Sequence, residues 1–198
     1  MDRLRGHLHG GNSPLVAGPL CHFTENHDEP RAARHFGARA AAAAVLALSL
    51  PGPRMVMWGQ ESGLKERLAV HLRRAAPEQA DGGAAEFYSR LLGVLPRCRG
   101  AWAPLAVGGG DSWRFLAWSW RGDSAVVIVV CNFTDGDAWA NVHAGEVLAQ
   151  CSVSGGRVQL ADALSGTVYD RSMDDLRGPE GLVVGLQAYA AHVLVCQR

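Results

Sequence analysis

The pattern of apolar and polar residues divides the chain into two halves near Arg99-Gly100. In the first half, an Ala- and Leu-rich run over residues 38–50 ends at a Pro-Gly-Pro turn, which predicts a buried helix with a sharp stop. Short apolar runs at residues 21–26 and 55–58 predict strands covered on both faces, as parallel strands are. A second helix is predicted over residues 83–95. The order strand, helix, strand, helix is typical of an α/β fold.

The second half has the pattern of an all-β domain. Runs rich in β-branched and aromatic residues alternate with Gly- and Asp-containing turns. The predicted strands cover residues 113–120, 125–131, 182–186 and 189–196. We therefore predict an α/β domain over residues 1–99, followed by an antiparallel β-sandwich over residues 100–198, which is the usual size of such a module.

Composition and charge exclude several classes of protein. The 198 residues are 48% hydrophobic, and 19 basic residues balance 19 acidic ones, so no net charge favours nucleic acid or an anionic membrane as a partner. We find no apolar run of bilayer-spanning length and no signal peptide, and we expect a cytoplasmic protein. The five cysteines form no CxxC pair, which predicts reduced and mostly buried thiols.

Polar side chains cluster directly after the two predicted parallel strands. Residues 23–31 read FTENHDEPR, and residues 59–63, GQESG, follow the second strand in the same relation. A His-Asp pair such as His27-Asp28 occurs often by chance and can simply pin a loop. Ligands nevertheless bind at the carboxyl ends of strands in α/β folds, so two such clusters favour one shared site.

These motifs resemble the end of the α-amylase superfamily of glycoside hydrolases. The run from Phe23 to Gly37, the helix, the Pro-Gly-Pro turn and Gly59-Gln60-Glu61 are similar to the seventh strand, seventh helix and eighth strand of its (β/α)8 barrel. The segment LADALSG at residues 160–166 and the terminal YAAHV at 189–193 resemble its C-terminal β-sandwich. The resemblance thus implies a partial (β/α)8 barrel followed by the sandwich.

The resemblance also implies roles for individual residues. Asp28 would be the carboxylate that stabilises the transition state, and His27 would bind a hydroxyl of the same sugar ring. Arg31 stands where relatives have an arginine that contacts substrate; an ion pair with Glu25 or Glu29 is an equal alternative. Glu61 is expected to be a structural residue of the barrel rim. The implied partner is an α-glucan or α-glucoside.

The chain departs from the family pattern in the number of its catalytic groups. Retaining cleavage needs a nucleophile and a general acid about 5 to 5.5 Å apart, and the family places them on the fourth and fifth barrel strands. A complete barrel takes roughly 200 to 250 residues, whereas the sandwich begins near residue 100. Neither Glu25 nor Glu29 suits the facing geometry. We therefore expect the chain to be inactive alone, and to associate with itself or with a missing barrel half on another chain.

Two further possibilities arise from the same residues. A non-catalytic carbohydrate-binding or structural module would use the sandwich, whose tryptophans could form a sugar-stacking surface, although core packing is the commoner fate of strand aromatics. The tryptophans concerned are Trp113, Trp118, Trp120 and Trp139. A truncated gene product is the other possibility. We predict no cofactor and no metal, because His7 and His9 with Cys21 and His22 lack any zinc spacing.

Overall fold

Two antiparallel sheets and a group of helices make up the chain in our computed structural model, which describes residues 2–9, 20–69, 71–72, 74 and 77–198. The α-helices are α1 (Asp2–His9), α2 (Ala32–Phe36), α3 (Ala40–Leu48), α4 (Gly82–Val94), α5 (Gly145–Leu148) and α6 (Met173–Arg177). Both helices predicted from the sequence, α3 and α4, are present within two residues of their expected starts and ends. No helix in the described ranges is long and apolar enough to cross a bilayer.

The β-sandwich accounts for the second half of the chain. Its larger sheet has the strand order β1-β3-β4-β9-β6-β7 and its smaller sheet the order β2-β5-β8, with every pairing antiparallel. The strands are β1 (Ala101–Pro104), β2 (Val107–Gly108), β3 (Phe115–Arg121), β4 (Ala125–Asn132), β5 (Ala138–Val142), β6 (Arg157–Asp162), β7 (Val168–Ser172), β8 (Leu182–Leu186) and β9 (Ala191–Gln197). The predicted antiparallel sandwich is therefore confirmed in this region.

The larger sheet is buried on both faces at its centre. All eight residues of β4 are buried, and alternate side chains point to opposite faces. Val126, Ile128 and Val130 face the smaller sheet and form the sandwich core. Val127 and Val129 face the other way and pack in a second core with α3 and α4. One sheet thus joins the helices to the sandwich.

Two tryptophans of β3 lock the helices to this sheet. The indole N–H groups of Trp118 and Trp120 both donate to the carbonyl oxygen of Ser49, at 3.3 and 2.7 Å, just beyond the end of α3. Both side chains are buried. A sugar-stacking role for this pair is therefore wrong, because the shared strand face turns both rings into the second core. The free thiols are confirmed too, and all but Cys21 are buried.

The two segments predicted as parallel strands are not regular strands. The two segments meet at a single parallel bridge between His22 and Arg54. The His22 N–H group donates to the Pro53 carbonyl oxygen, and the Met55 N–H group donates to the His22 carbonyl oxygen. A parallel strand is stabilised by hydrogen-bonded neighbours within a covered sheet. Among the described residues each segment has only the other as a neighbour, so no ladder extends beyond the bridge.

A buried carboxylate joins β6 to the rest of the larger sheet, where the ladder is short. Only two residue pairs connect β6 and β9. Beside them, Asp162 accepts hydrogen bonds from the Val193 and Leu164 N–H groups and the Ser165 hydroxyl, and its carboxylate lies 3.0 Å from the His192 ring. Burial pushes the pKa of Asp162 upward, but these hydrogen bonds and His192 together hold the pKa below its usual value of 3.8.

We expect Asp162→Asn to lower the free energy of unfolding by about 2 kcal/mol at pH 7, because the amide replaces one of the two acceptor oxygens with an NH2 group that cannot accept, and removes the charge. Because its folded-state pKa is lowered, the carboxylate stabilises the fold above about pH 4 and loses this effect as the pH falls through that pKa. Urea unfolding at pH 7 and pH 2.5 measures both effects.

The matched control for Asp162 is Asp123→Asn, an exposed aspartate in the turn between β3 and β4. Its effect should stay within about 0.5 kcal/mol at both pH values. If Asp162→Asn lowers the free energy of unfolding as much at pH 2.5 as at pH 7, the stabilising role assigned to the carboxylate charge is contradicted.

Candidate functional site

The loop over residues 26–30 is shaped by the side chain of its first residue. The Asn26 Oδ1 atom accepts hydrogen bonds from the N–H groups of Asp28 and Glu29, at 2.8 and 2.9 Å. An asparagine side chain that takes up N–H groups two and three residues later holds the backbone in a tight turn. This turn points His27 and Asp28 outward.

His27 and Asp28 form an exposed pair. The His27 Nε2 atom lies 3.3 Å from the Asp28 carboxylate, and their side chains are 64% and 73% exposed. Arg67 approaches from another loop, with its guanidinium 4.0 Å from the Asp28 carboxylate and hydrogen bonds to the His27 carbonyl oxygen at 3.3 and 3.2 Å. The structure therefore brings a carboxylate, an imidazole and a guanidinium together on an open surface.

A buried ion pair closes the base of this loop. The Arg31 Nη1 atom lies 3.2 Å from the Glu25 carboxylate, and both side chains are at most 1% exposed. Glu25 also accepts a hydrogen bond from the Ala32 N–H group, at the start of α2. Burial raises the pKa of Glu25, against the opposing effects of the Ala32 N–H group and Arg31. The pair fixes the residues on either side of His27-Asp28.

Arg31 also ties this loop to the turn that follows the second predicted strand. Its guanidinium donates to the carbonyl oxygens of Trp58, at 3.1 Å from both Nη atoms, and Leu64, at 3.3 Å from Nε. Gly59 makes room for it: a Cβ atom there would lie 2.9 Å from Nη2 and 2.5 Å from the Leu64 side chain. With φ at +83°, this position also favours glycine for its backbone.

The geometry bears directly on the two roles that the sequence leaves open for Arg31. The ion pair with Glu25 is present. The guanidinium is enclosed by this chain and offers no surface to a ligand, whereas His27 and Asp28 do. Glu29 remains exposed and is not part of the pair.

The second polar cluster meets the first through Gln60. This buried amide donates to the Thr24 hydroxyl at 2.8 Å and to the Tyr88 hydroxyl at 2.9 Å, and its oxygen accepts from the Met57 N–H group. Gln60 thus links both predicted strand segments to α4. The sequence correctly predicts that the two clusters lie together, but Gln60 acts as a structural link, and its neighbour Glu61 is half-buried.

Two residues of the site have no role in the sequence analysis. Asn26 has a local signal, since an asparagine two residues before Asp28 is a common way to form a turn. Arg67 has none, because it lies 39 residues after Asp28 in a stretch without helix or strand periodicity. Only the folded chain shows that Arg67 reaches the loop.

Neither a metal site nor a reactive thiol at Cys98 or Cys131 is supported in the part of the chain that the structure describes. No group of three or more His, Cys, Asp or Glu side chains there is arranged to hold a metal ion. Burial raises the pKa of Cys98 to about 11 and that of Cys131 to about 12, so both thiols stay protonated at neutral pH. The chemistry that the site offers is hydrogen bonding and charge stabilisation by Asp28, His27 and Arg67.

The fold is similar to parts of solved α-amylase and debranching-enzyme structures. No protein-family model and no curated protein sequence matches the chain. A maltogenic α-amylase from Thermotoga neapolitana superposes on 100% of the chain with a TM-score of 0.68 at 15% identity. An α-amylase from Geobacillus thermoleovorans, solved with acarbose, also covers 100%, with a TM-score of 0.65 at 14% identity. A debranching enzyme from Nostoc punctiforme covers 89%, with a TM-score of 0.61 at 19% identity.

The chain spans less than half of each of these proteins. It covers 49% of the Thermotoga enzyme, 42% of the Geobacillus enzyme and 33% of the Nostoc enzyme. At this level of identity the likeness establishes the fold of the chain, which is that of a portion of α-amylase-family structures. The family resemblance seen in the sequence is thus confirmed at the level of the fold.

We expect Arg31→Ala to destabilise the chain by about 3 to 5 kcal/mol, because it leaves the Glu25 carboxylate buried without its partner. The double variant Glu25→Gln with Arg31→Ala should cost less than the sum of the single variants Glu25→Gln and Arg31→Ala. Urea unfolding followed by circular dichroism measures all three variants.

The control for this ion pair is Arg34→Ala, which removes an exposed pair with Glu66. Its cost should stay below about 1 kcal/mol, since exposed ion pairs contribute little. Additive effects at Glu25 and Arg31 would show that the two side chains do not stabilise each other.

Proposed function

We propose that this chain is the carboxyl-terminal portion of an α-amylase-type retaining glycoside hydrolase that acts on α-glucosidic bonds. In this proposal, residues 1–99 supply the last part of a catalytic (β/α)8 barrel and residues 100–198 the C-terminal β-sandwich. The four buried free cysteines favour a reducing compartment, for which we propose the cytoplasm.

The observation that carries the proposal is the presentation of Asp28 and His27. The pair follows a segment that meets its neighbour in parallel at His22 and Arg54, and a buried ion pair fixes it from below. The loop therefore stands where a parallel sheet would present a ligand site, at the carboxyl end of a strand. The chain that carries it also has the fold of part of α-amylase-family structures.

The proposed chemistry uses the charge of Asp28 and the hydrogen bonds of both side chains. As a glycosidic bond breaks, the sugar ring gains oxocarbenium character, and hydrogen bonds to its 2-hydroxyl group become stronger. Asp28 would accept such hydrogen bonds beside the scissile bond, and His27 would bind a hydroxyl of the same ring. Arg67, 4.0 Å from the Asp28 carboxylate, would help to orient it.

We propose that the nucleophile and the general acid come from residues outside this chain. The two groups must lie about 5 to 5.5 Å apart and face each other across the scissile bond. Glu25 is enclosed in its ion pair with Arg31 and does not reach the surface. Glu29 lies next to Asp28 in the same exposed turn, beside it rather than opposite. The chain should accordingly bind sugar weakly at this site without cleaving it.

A titration with maltotriose tests the role of Asp28. In an amide spectrum of the ¹⁵N-labelled chain, we expect maltotriose to shift the signals of His27, Asp28 and Arg67. Asp28→Asn should weaken this binding about tenfold, because the hydrogen bonds from sugar hydroxyls would lose the charge and one of the two acceptor oxygens. The exposed Asp123→Asn in the β3–β4 turn should leave the binding unchanged.

Two outcomes would contradict the proposed site. The first is that saturating maltotriose does not shift the amide signals of residues 26–31. The other concerns activity: we expect no turnover of maltooligosaccharides or of a nitrophenyl α-glucoside by the purified chain. Turnover that disappears in Asp28→Ala would show that the chain contains its own nucleophile and acid.

The proposed partial barrel also predicts association. Residues 21–26 and 55–58 have backbone edges that pair with each other through one bridge only, and exposed edges of this kind favour pairing between chains. We expect light scattering after gel filtration to show species larger than 21 kDa that increase with concentration. A monomer at all concentrations, with a single cooperative unfolding transition, would contradict this expectation.

A further inference from the structure

The outer face of the smaller sheet carries an exposed indole at its centre. On β5, Ala138, Ala140 and Val142 point into the core, so Trp139 and Asn141 point outward. Trp139 is 51% exposed. A single exposed apolar side chain is common, but a fixed indole with other exposed apolar side chains around it suggests a binding surface.

The Trp139 ring is held in place by the turn behind it. A Cβ atom on Gly110 would lie only 2.7 Å from two atoms of the ring, so the indole rests directly against the backbone of this glycine. The Asp111 N–H group donates to the Trp139 carbonyl oxygen at 2.8 Å and fixes the turn to the strand. One face of the ring is therefore supported by protein while half of the side chain stays open to solvent.

The strand next to Trp139 leaves space beside the ring. Gly185 on β8 is the register partner of Trp139, and a Cβ atom there would meet nothing within 4 Å. The next outward residue on β8, Val183, is 51% exposed. The surface over Gly185 and Val183 is therefore open and shallow, and the Trp139 ring borders it on one side. We call this surface the shelf.

A second indole stands on the same part of the surface. Trp113 is 54% exposed and lies in the short 3₁₀ turn Ser112–Arg114, which packs against β5. The Arg114 guanidinium is placed 4.6 Å from the centre of the Trp113 ring, a cation–π contact. Arg114 is held in turn by the Thr134 hydroxyl, at 3.4 Å.

Polar groups accompany the two rings. The Oδ1 atom of Asn141, beside Trp139 on the outer face, is buried and has no hydrogen-bond partner. Asn141 as a whole is half-buried, so this side chain borders the outer face without exposing that oxygen. Asp111 precedes Trp113 by two residues; its carboxylate accepts from the Trp139 N–H group and lies 4.0 Å from the Arg114 guanidinium. The surface therefore combines accessible ring faces with hydrogen-bonding groups.

We propose that this surface, made of Trp113, Trp139, Asn141 and the shelf over Gly185, binds an oligosaccharide by stacking. A pyranose ring has an apolar face of C–H groups and a rim of hydroxyls, which complement an indole face bordered by an amide and a carboxylate. Two indoles suit a chain of several sugars better than a single one. The surface is independent of Asp28; only the choice of an α-1,4-linked glucan as ligand rests on the proposed function.

The indole N–H signals of the ¹⁵N-labelled chain give a direct test, with maltoheptaose as the probe. We expect maltoheptaose to shift the signals of Trp139 and Trp113, while the buried Trp118 and Trp120 remain unmoved as internal references. Trp139→Ala should weaken this binding about tenfold or more. Gly185→Leu, which fills the shelf but keeps the indole, should weaken it to a similar degree.

Two matched controls separate this surface from the Asp28 site. Trp58→Ala removes another exposed indole, 63% exposed, outside the sandwich. Asp28→Asn weakens the proposed active site. Neither change should affect the maltoheptaose-dependent shift of Trp139. If the proposed active site does not bind sugar, the amide signals of His27, Asp28 and Arg67 stay unshifted; if this surface does not, the indole signals of Trp113 and Trp139 stay unshifted.

Three results would overturn the proposal. The first is an unmoved Trp139 signal at saturating maltoheptaose. The second is a Gly185→Leu variant that binds maltoheptaose as well as the original chain. The third is a set of Trp113 and Trp139 signals that shift with protein concentration and not with sugar, which would assign the surface to contact with a second copy. Binding of cellohexaose in place of maltoheptaose would overturn the choice of an α-glucan.

Discussion

The central constraint on this structure is that β3 and β4 are covered on both faces. All eight residues of β4 are buried, and its side chains alternate between the sandwich core and the core shared with α3 and α4. The indoles of Trp118 and Trp120 reach from β3 to one carbonyl oxygen beyond α3. Separating the helices from the sandwich would expose two large rings and leave that carbonyl without donors. The helices that flank the candidate site are therefore anchored to the sandwich.

A second, local constraint positions the loop that carries His27 and Asp28. Glu25 and Arg31 precede and follow this loop, and their buried ion pair holds its two ends together. The exposed residues between them are therefore fixed at both ends. Burying two charges is tolerable only when each has partners, which the Ala32 N–H group and the Trp58 and Leu64 carbonyls provide. The same side chains therefore explain the fixed turn and the absence of Arg31 from the surface.

The sequence predicts the elements whose signals are local. Continuous β-branched runs identify β4 and β8, the latter at its observed limits, and helix stop and start signals identify α3 and α4 within two residues. It fails where the outcome depends on distant neighbours. The apolar runs at 21–26 and 55–58 have the composition of parallel strands, yet parallel pairing depends on partner strands far away in the sequence, and among the described residues these segments pair only with each other, at one bridge. Likewise, parity on β3 indicates that Trp118 and Trp120 share a face, but only the folded chain shows that α3 covers this face and the smaller sheet covers the other. Arg67 reaches Asp28 across 39 residues and has no local signal at all.

The two proposed sugar-binding surfaces differ in how completely this chain forms them. The surface at Trp139 has its supporting glycine, its shelf and its second indole within one sandwich. Asp28 is fixed in position, but its side chain is 73% exposed and surrounded by water. In that environment a unit charge 4 Å away interacts by only about 1 kcal/mol, whereas an enclosed site of lower dielectric strengthens the same interaction several-fold. A carboxylate that stabilises an oxocarbenium-like ring therefore has to be covered before its charge becomes effective. In the proposed enzyme, Asp28 would therefore need an enclosing wall as well as two more carboxylates, and the remainder of the proposed barrel would supply both.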